Sequence, residues 1–415
     1  MSNYTQSTNF ATKDALSPGD PLKIVRGTEI NTEFANIAVA VATKLDTTAL
    51  ASPGPIGATT PSTINATTGT FSGNVQMASA NGGQLAGLRN KIINGDMRVS
   101  QRVVNPSTAS LPSTGSATYL ADRFFFTLQT AASPAAVTAG ITNDNSLSGA
   151  SGNHIYLTTN TIKSTLAAGD YLLCSQYIEG FNVADFKYGT AAAKTVTISF
   201  RAVTTNMGAS SVISVSFRNN GTRSYVVPVT ITNSAATYSV TIPGDTTGTW
   251  ITNSGQGLLV TFTSASGSTF IAPTASAWQA GNYIANSTTS NFLGTLNGTL
   301  AITDIQIEVG PVATPFEQRP IGMELALCQR YYEVITSTGI IGSSSGVGAL
   351  VGNWVTFSTP KRIIPTLSVG TATENTNLTA TYLAPVNTMN FRYYGDATAA
   401  GPAYLTRTVN ANAEL

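Results

Sequence analysis

The chain has 415 residues, room for roughly two to four folded units, and its charged fraction of 10% compares with about 25% in an ordinary soluble domain. Its 21 Lys and Arg nearly cancel 20 Asp and Glu, for a net charge of +1, so nucleic-acid binding through counterion release has little to act on. A hydrophobic content of 42% argues against disorder, no apolar run reaches the roughly 18 to 20 residues of a membrane span, and the N-terminus lacks a basic-then-apolar secretion signal.

Residues 1–50 predict an extended arm, punctuated by Pro18-Gly19-Asp20-Pro21, and then a helix. In TEINTEFANIAVAVATKL the residues Ile30, Phe34, Ile37 and Val41 recur at 4-3-4 spacing along one helical face. Thr28 is the expected N-cap, and Glu29 suits the first turn. A helix of about five turns is not stable alone in water. Its apolar face is therefore expected to meet sister chains, another protein or its own domain. Residues 51–86 form a Gly/Pro/Thr/Ala tract too poor in large residues for its own core, as a narrow neck shared between chains would be.

Residues 87–321 carry strand signals. KTVTISFRAV, SSVISVSFRN, RSYVVPVTIT, ATYSVTIP and GLLVTFTS alternate at short intervals, separated by turns such as Asn219-Asn220-Gly221. That spacing predicts an antiparallel β-sandwich of the jelly-roll kind. The strand DIQIEV then meets Gly310-Pro311, Pro315 and Pro320, which end it and stiffen its exit. Residues 322–415 predict one helix followed by a small β domain from about Gly339. In that helix Met323, Leu327, Tyr331 and Ile335 recur at fourfold spacing. The helix is expected to cement the sandwich to the last domain, with Leu327 and Tyr331 buried in the joint. The fold class is thus all-β: N-terminal arm and short helix, neck, β-sandwich (jelly roll), one helix, small C-terminal β domain.

No catalytic arrangement is legible. His154 is the single histidine, at the start of a strand, and no G-x-S-x-G occurs. Cys174 and Cys328 are too few for a disulfide framework, and His and Cys together are too few for their metal sites. GVGALVG precedes a strand rather than a helix and reads as a turn. Asp170, Glu179 and Asp185 are candidate glycosidase carboxylates, while Asp122–Arg123 and Glu317–Arg319 read as structural ion pairs. Sugar binding is a stronger reading. Trp250, with Trp278, Gln279, Asn282 and Tyr283 of WQAGNY, could stack on a pyranose and bond its hydroxyls; alternatively Trp278 and Tyr283 plug the sandwich.

LRNKIINGDMRVSQR (88–102), YLADRFFF (119–126) and ITDIQIEVGPVATPFEQRPIGMELALCQRYYE (302–333) resemble a module of bacteriophage and prophage tail fibre proteins. NYTQSTNFATKDALSPGDPLKIVRGTEINTEFANIAVAVATK is similar to the N-terminal segments of podovirus-type fibres, and IGATTPSTINATTGTFSG resembles their neck motif. The resemblance implies a carbohydrate-binding-type jelly roll with NGD on its first strand and DIQIEVG on its last, and FSTPKRIIPTLSV resembles the strand that opens a small β domain. It further implies a non-enzymatic virion fibre, a homotrimer, made in the host cytoplasm and exposed on the particle. The fibre would be mounted on a phage tail protein through Ile30, Phe34, Ile37 and Val41 and would use a host surface glycan as partner. No cofactor, nucleic acid or membrane insertion is implied. A head (capsid) fibre with the same modules is the first alternative, and a glycan depolymerase tailspike the second. Jelly rolls of this type often hold a structural cation where first and last strands meet, at Asp96 and Asp304 here. Met97 and Arg98, however, stand where a family-like acid would follow NGD.

Overall fold

Runs rich in β-branched and aromatic residues pair into sheets along most of the chain. The computed structural model describes residues 4–42, 87–130, 134–144, 146–147 and 149–415, in two compact units, Met1–Gln76 and Met77–Leu415. The expected neck, 51–86, lies outside the described residues.

In the first unit, helix α1 (Phe10–Asp14) is capped by the Asn9 side chain, and α2 spans Gly27–Ala42. The start of α2 differs from expectation. The Glu29 carboxylate accepts a 2.8 Å bond from the Arg26 N–H, a capping-box contact that begins the helix before Thr28. The arm folds back on α2 through hydrogen bonds. Glu33, buried, accepts from the Ser7 N–H at 2.8 Å, from the Tyr4 and Ser7 hydroxyls and from the Thr8 N–H. Lys13 pairs with Glu29 at 2.8 Å, and Asn36 donates to Ser7 at 3.3 Å. Glu29, Glu33, Asn36 and Ala40 are therefore the covered stripe. Ile30, Phe34, Ile37 and Val41, one position further round the helix, stay exposed.

The sandwich of the second unit is built from β1 (Ser107–Ser110), β2 (Thr118–Tyr119), β3 (Phe125–Gln129), β4 (Ala136–Thr142), β5 (His154–Thr161) and β6 (Tyr171–Glu179). After a short α3 (Gly180–Val183) come β7 (Val196–Thr205), β8 (Ser210–Arg218), β9 (Arg223–Thr232), β10 (Ala236–Ile242), β11 (Gln256–Ser266), β12 (Trp278–Ala280) and β13 (Thr299–Val309). A six-stranded sheet, β1-β4-β5-β13-β7-β10, packs on a seven-stranded one, β12-β9-β8-β11-β6-β3-β2. Period-two residues such as Ile198 and Phe200, Val215 and Phe217, and Ile305 and Ile307 share one core. Cys174 belongs to it, and burial pushes its thiol far above the usual range. The β8–β9 turn is set by Asn219, whose Oδ1 accepts from the Thr222 and Arg223 N–H groups at 2.9 and 2.8 Å. Gly221 sits there at φ +91°, where a side chain would be strained.

The segment NGD is a turn rather than a strand: the Met97 N–H donates to the Asn94 carbonyl at 3.0 Å, and both residues have positive φ. Strand β13 is buried on both faces. Ile305 and Ile307 enter the core, while Gln306 and Glu308 face the returning chain. Gln306 accepts from the Glu317 N–H at 2.8 Å, and Glu308 from the Thr314 N–H at 2.8 Å. The proline-rich exit is thereby laid back across the strand it leaves.

The joint helix, α4, covers only Ile321–Gln329, and Tyr332–Ser344 is strand β14. Met323, Leu327, Tyr331 and Ile335 thus share no helical face. Met323 is exposed and Tyr331 buried, and Leu327 is half-buried at a cleft. Glu324 and Cys328 are the buried positions of α4. With β15 (Leu350–Thr356), β16 (Thr366–Thr376), β17 (Leu378–Pro385), β18 (Asn390–Ala397) and β19 (Gly401–Asn412), β14 builds two three-stranded sheets, β14-β19-β16 and β15-β18-β17. Ile340, Val351, Phe391, Tyr393, Leu405 and Val409 lie in their common core. Tyr332–Ser344, not FSTPKRIIPTLSV, opens this domain; the latter is a loop running into β16.

Candidate functional site

The segments 88–102, 119–126 and 302–333 converge on a buried polar joint. The Arg123 guanidinium, 1% exposed, lies 3.5 Å over the Tyr331 ring and donates to the Tyr177 carbonyl at 2.5 Å while pairing with Glu414. Glu179 accepts from Arg330 at 2.6 and 2.9 Å and from the Tyr331 hydroxyl at 2.8 Å. Arg102 stacks on Tyr332 at 3.6 Å and pairs with Asp122 at 3.4 Å and Glu414 at 3.2 Å. Arg362 reaches the Ser254 carbonyl of the sandwich at 2.8 Å and the Ala413 and Glu414 carbonyls at 2.9 and 2.8 Å. Asp122 and Arg123 therefore pair with other residues rather than with each other, whereas Glu317 and Arg319 do lie 3.7 Å apart. Buried charge is costly unless partnered, and these groups are partnered by protein. The joint is structural.

A second feature lies on the outer face of the seven-stranded sheet. Alternate residues of β6 point to opposite sides: Leu172, Cys174 and Ile178 enter the core, while Tyr171, Leu173, Ser175 and Tyr177 line a groove of about 480 Å³. Tyr119 and Phe125 lie 5.6 Å apart along it, and Phe125 stacks on Tyr177 at 5.0 Å and 21°. The chain after β11 supplies more lining. Phe270 meets Tyr171 edge-on at 5.4 Å, and Ile284 and Ala285 pack on Leu173. Leu259 and Leu415 add apolar surface, and Thr127, Ser175 and Asn282 add hydroxyl and amide groups. Arg218 donates to Asn282 Oδ1 at 2.6 Å and to Thr261 Oγ1 at 3.1 Å. Burial lowers its pKa to about 10 and raises those of the Tyr171 and Tyr119 hydroxyls. Aromatic faces with a few convergent polar groups suit a pyranose, which has an apolar face and a polar rim.

Of the five residues expected to form a sugar platform, only Asn282 lines this groove. Trp250 and Trp278 meet edge-to-face at 5.4 Å and pack against the sandwich core. Their indole N–H groups donate to the Thr247 and Pro243 carbonyls at 3.2 and 2.7 Å. Gln279 pins its own loop, donating to the Thr274 carbonyl at 2.6 Å, and Tyr283 packs beside Gly281. The aromatic rings along this groove are Tyr119, Phe125, Tyr171, Tyr177 and Phe270, not the tryptophans. One sequence signal pointed to it: Tyr171 and Tyr177 stand six apart in YLLCSQYIE, an even spacing that places both on one strand face.

The other candidates are occupied by protein contacts. Asp96 pairs with Arg98 at 2.5 Å, and Asp304 accepts from the Ala150 N–H at 2.8 Å. Among the described residues no group of three or more His, Cys, Asp or Glu is gathered as a metal site requires. Asp170 lies 3.6 Å from Lys163, Asp185 3.0 Å from Lys91 and Glu179 2.6 Å from Arg330. His154 has Ser146 Oγ at 3.5 Å and Asp144 at 3.9 Å, both on Nε2. A Ser-His-Asp relay needs the carboxylate on the second nitrogen. Burial also lowers the pKa of this imidazole.

No family model and no curated protein matches the chain. Among solved structures it is similar to a CBM4 module, at 13% identity and TM-score 0.24 over 52% of this chain and 97% of that one. It is likewise similar to the CBM22-1 xylan-binding domain of Paenibacillus barcinonensis Xyn10C, at 10% identity and TM-score 0.24 over 50% and 97%. A third is the family 11 carbohydrate-binding module of Lic26A-Cel5E of Clostridium thermocellum, at 12% identity and TM-score 0.23 over 52% and 95%. These likenesses are too distant to carry an assignment. The all-β class rests on the sheets themselves.

Proposed function

We propose that this chain is a non-enzymatic fibre of a bacteriophage particle, a homotrimeric tail fibre, and that its sandwich binds a host-surface saccharide. The observation that carries the saccharide reading is the groove, with aromatic rings along it and amide, hydroxyl and guanidinium donors among them. Among the described residues its lining holds no Asp or Glu side chain, which supports binding over hydrolysis, since a glycosidase needs two carboxylates. The fibre reading is supported by the tail-fibre-like segments and by the polar joint they build. The exposed stripe of α2 supports mounting on a tail protein, or on a head protein in the alternative.

The purified chain is to be tested against bacterial lipopolysaccharide and capsule saccharides, alone and as Tyr177→Ala and Phe270→Ala. Saturable binding is expected, weakened about tenfold by loss of a stacking ring, without release of reducing ends. Released reducing ends would make the protein a depolymerase, and absence of binding would remove the saccharide reading. A chain lacking residues 1–45 is expected to remain β-rich and oligomeric yet fail to join fibre-less particles; normal incorporation would overturn mounting by the N-terminus.

A further inference from the structure

Arg218 is the guanidinium of the groove, and among the described residues no Asp or Glu side chain pairs with it. Elsewhere Arg102, Arg123, Arg223, Arg319 and Arg330 each pair with an acid. Arg218 is held instead by two neutral oxygens, Asn282 Oδ1 and Thr261 Oγ1, and its buried Nε makes no hydrogen bond. Its electrostatic neighbours are the phenol groups of Tyr177 and Tyr171. A guanidinium offers five N–H donors, so this one is oriented by part of its donor set with the rest unspent. A partly buried cation with only neutral partners among the described residues carries a free-energy cost that a bound anion would offset.

We propose that the groove takes an acidic saccharide, one whose ring carries a carboxylate, with Arg218 receiving the carboxylate and Tyr171 and Tyr177 receiving the sugar faces. This rests on the saccharide reading of the groove and narrows its ligand class. The fork of N–H groups on a guanidinium matches the two oxygens of a carboxylate. A neutral sugar on the same rings would bury the cation without compensating it.

The test is titration calorimetry of the full chain with oligogalacturonate, oligoglucuronate and sialyllactose, each beside its carboxyl-reduced form. At least one acid is expected to bind about tenfold or more tightly than its reduced form, which differs by one ion pair. Arg218→Gln should abolish that difference while leaving the weaker, stacking-level binding, and Arg218→Lys should restore part of it. Comparing acid with reduced form in the unaltered chain needs no variant to fold. Equal binding of acids and reduced forms, unchanged in Arg218→Gln, would overturn the acidic class and leave the saccharide groove standing. Binding by none of the six probes would overturn both.

Discussion

Glu33 is the main tie between residues 4–8 of the arm and α2, beside the Lys13–Glu29 pair. Hydrogen bonds from Ser7 and Tyr4, led by Ser7, pull its pKa from the usual 4.5 to about 2. A carboxyl depressed on folding favours the docked arm in full above its ordinary pKa, and that preference is lost as pH falls through about 2. Hydrogen exchange of residues 4–8 should therefore show protection near neutral pH that declines below about 4.5 and is gone near 2, and Glu33→Ala should lose it at every pH. Protection in the variant equal to that of the parent would mean other contacts hold the arm. Tyr331 plays the matching part in the joint. Burial foremost pushes its hydroxyl up to about 12, so it stays a donor to Glu179 across the working range. Tyr331→Phe removes one hydrogen bond to a buried carboxylate and should cost roughly 1.5 to 3 kcal/mol in denaturant unfolding. A change within about 0.5 kcal/mol, as at surface sites, would show that Arg330 alone satisfies Glu179.

At the scale of elements, what was legible followed from period. Strands β7 to β11 could be read from alternation because one side of each meets a core and turns such as Asn219-Asn220-Gly221 punctuate them. The end of α4 could not. CQRYYEVI fits a fourfold stripe and an alternating strand alike, and the choice is made by β19, which pairs Tyr332 with Asn412 across most of the C-terminal domain. No local pattern contains that partner. The groove was hidden for a related reason: β6 is apolar on both faces, so alternation could not say which face was open, and the tryptophans drew attention to an edge that proves to be packed. The misplaced stripe also changes an energetic expectation. Leu327 borders a cleft of about 310 Å³ instead of a closed core. Leu327→Ala should thus lose part of a transfer term with little new cavity, roughly 1 to 2 kcal/mol, rather than the 2 to 5 kcal/mol, about, of a sealed site. A loss near the upper figure in thermal unfolding would show that the cleft closes in solution.

For the whole molecule, sparse charge is unevenly spent. Much of it is drawn into the joint, where Arg, Glu and Asp side chains are enclosed by protein, and the sheet surfaces are left to hydroxyl and amide groups. Saccharide binding through one guanidinium and several rings should respond weakly to salt. Raising ionic strength from about 50 to about 500 mM should change affinity by less than about tenfold. A steep logarithmic slope would reveal several further phosphate- or carboxylate-binding cations on the surface.

The register of the last domain has a mechanical consequence. Strand β14 leaves the joint at Tyr332, and β19 returns to it at Asn412, so the two ends of the domain are neighbours at its base. Their ladder runs outward to Ser344 opposite Gly401. A pull on the far turns, away from the base, is directed along the strands. Both strands are anchored at the base, so the load runs along their covalent backbones, and the inter-strand bonds, which lie across that direction, are not peeled open one after another. Arg362, tied to Ser254, Ala413 and Glu414, then passes the tension of β19 into the sandwich, which β14 joins through the chain itself.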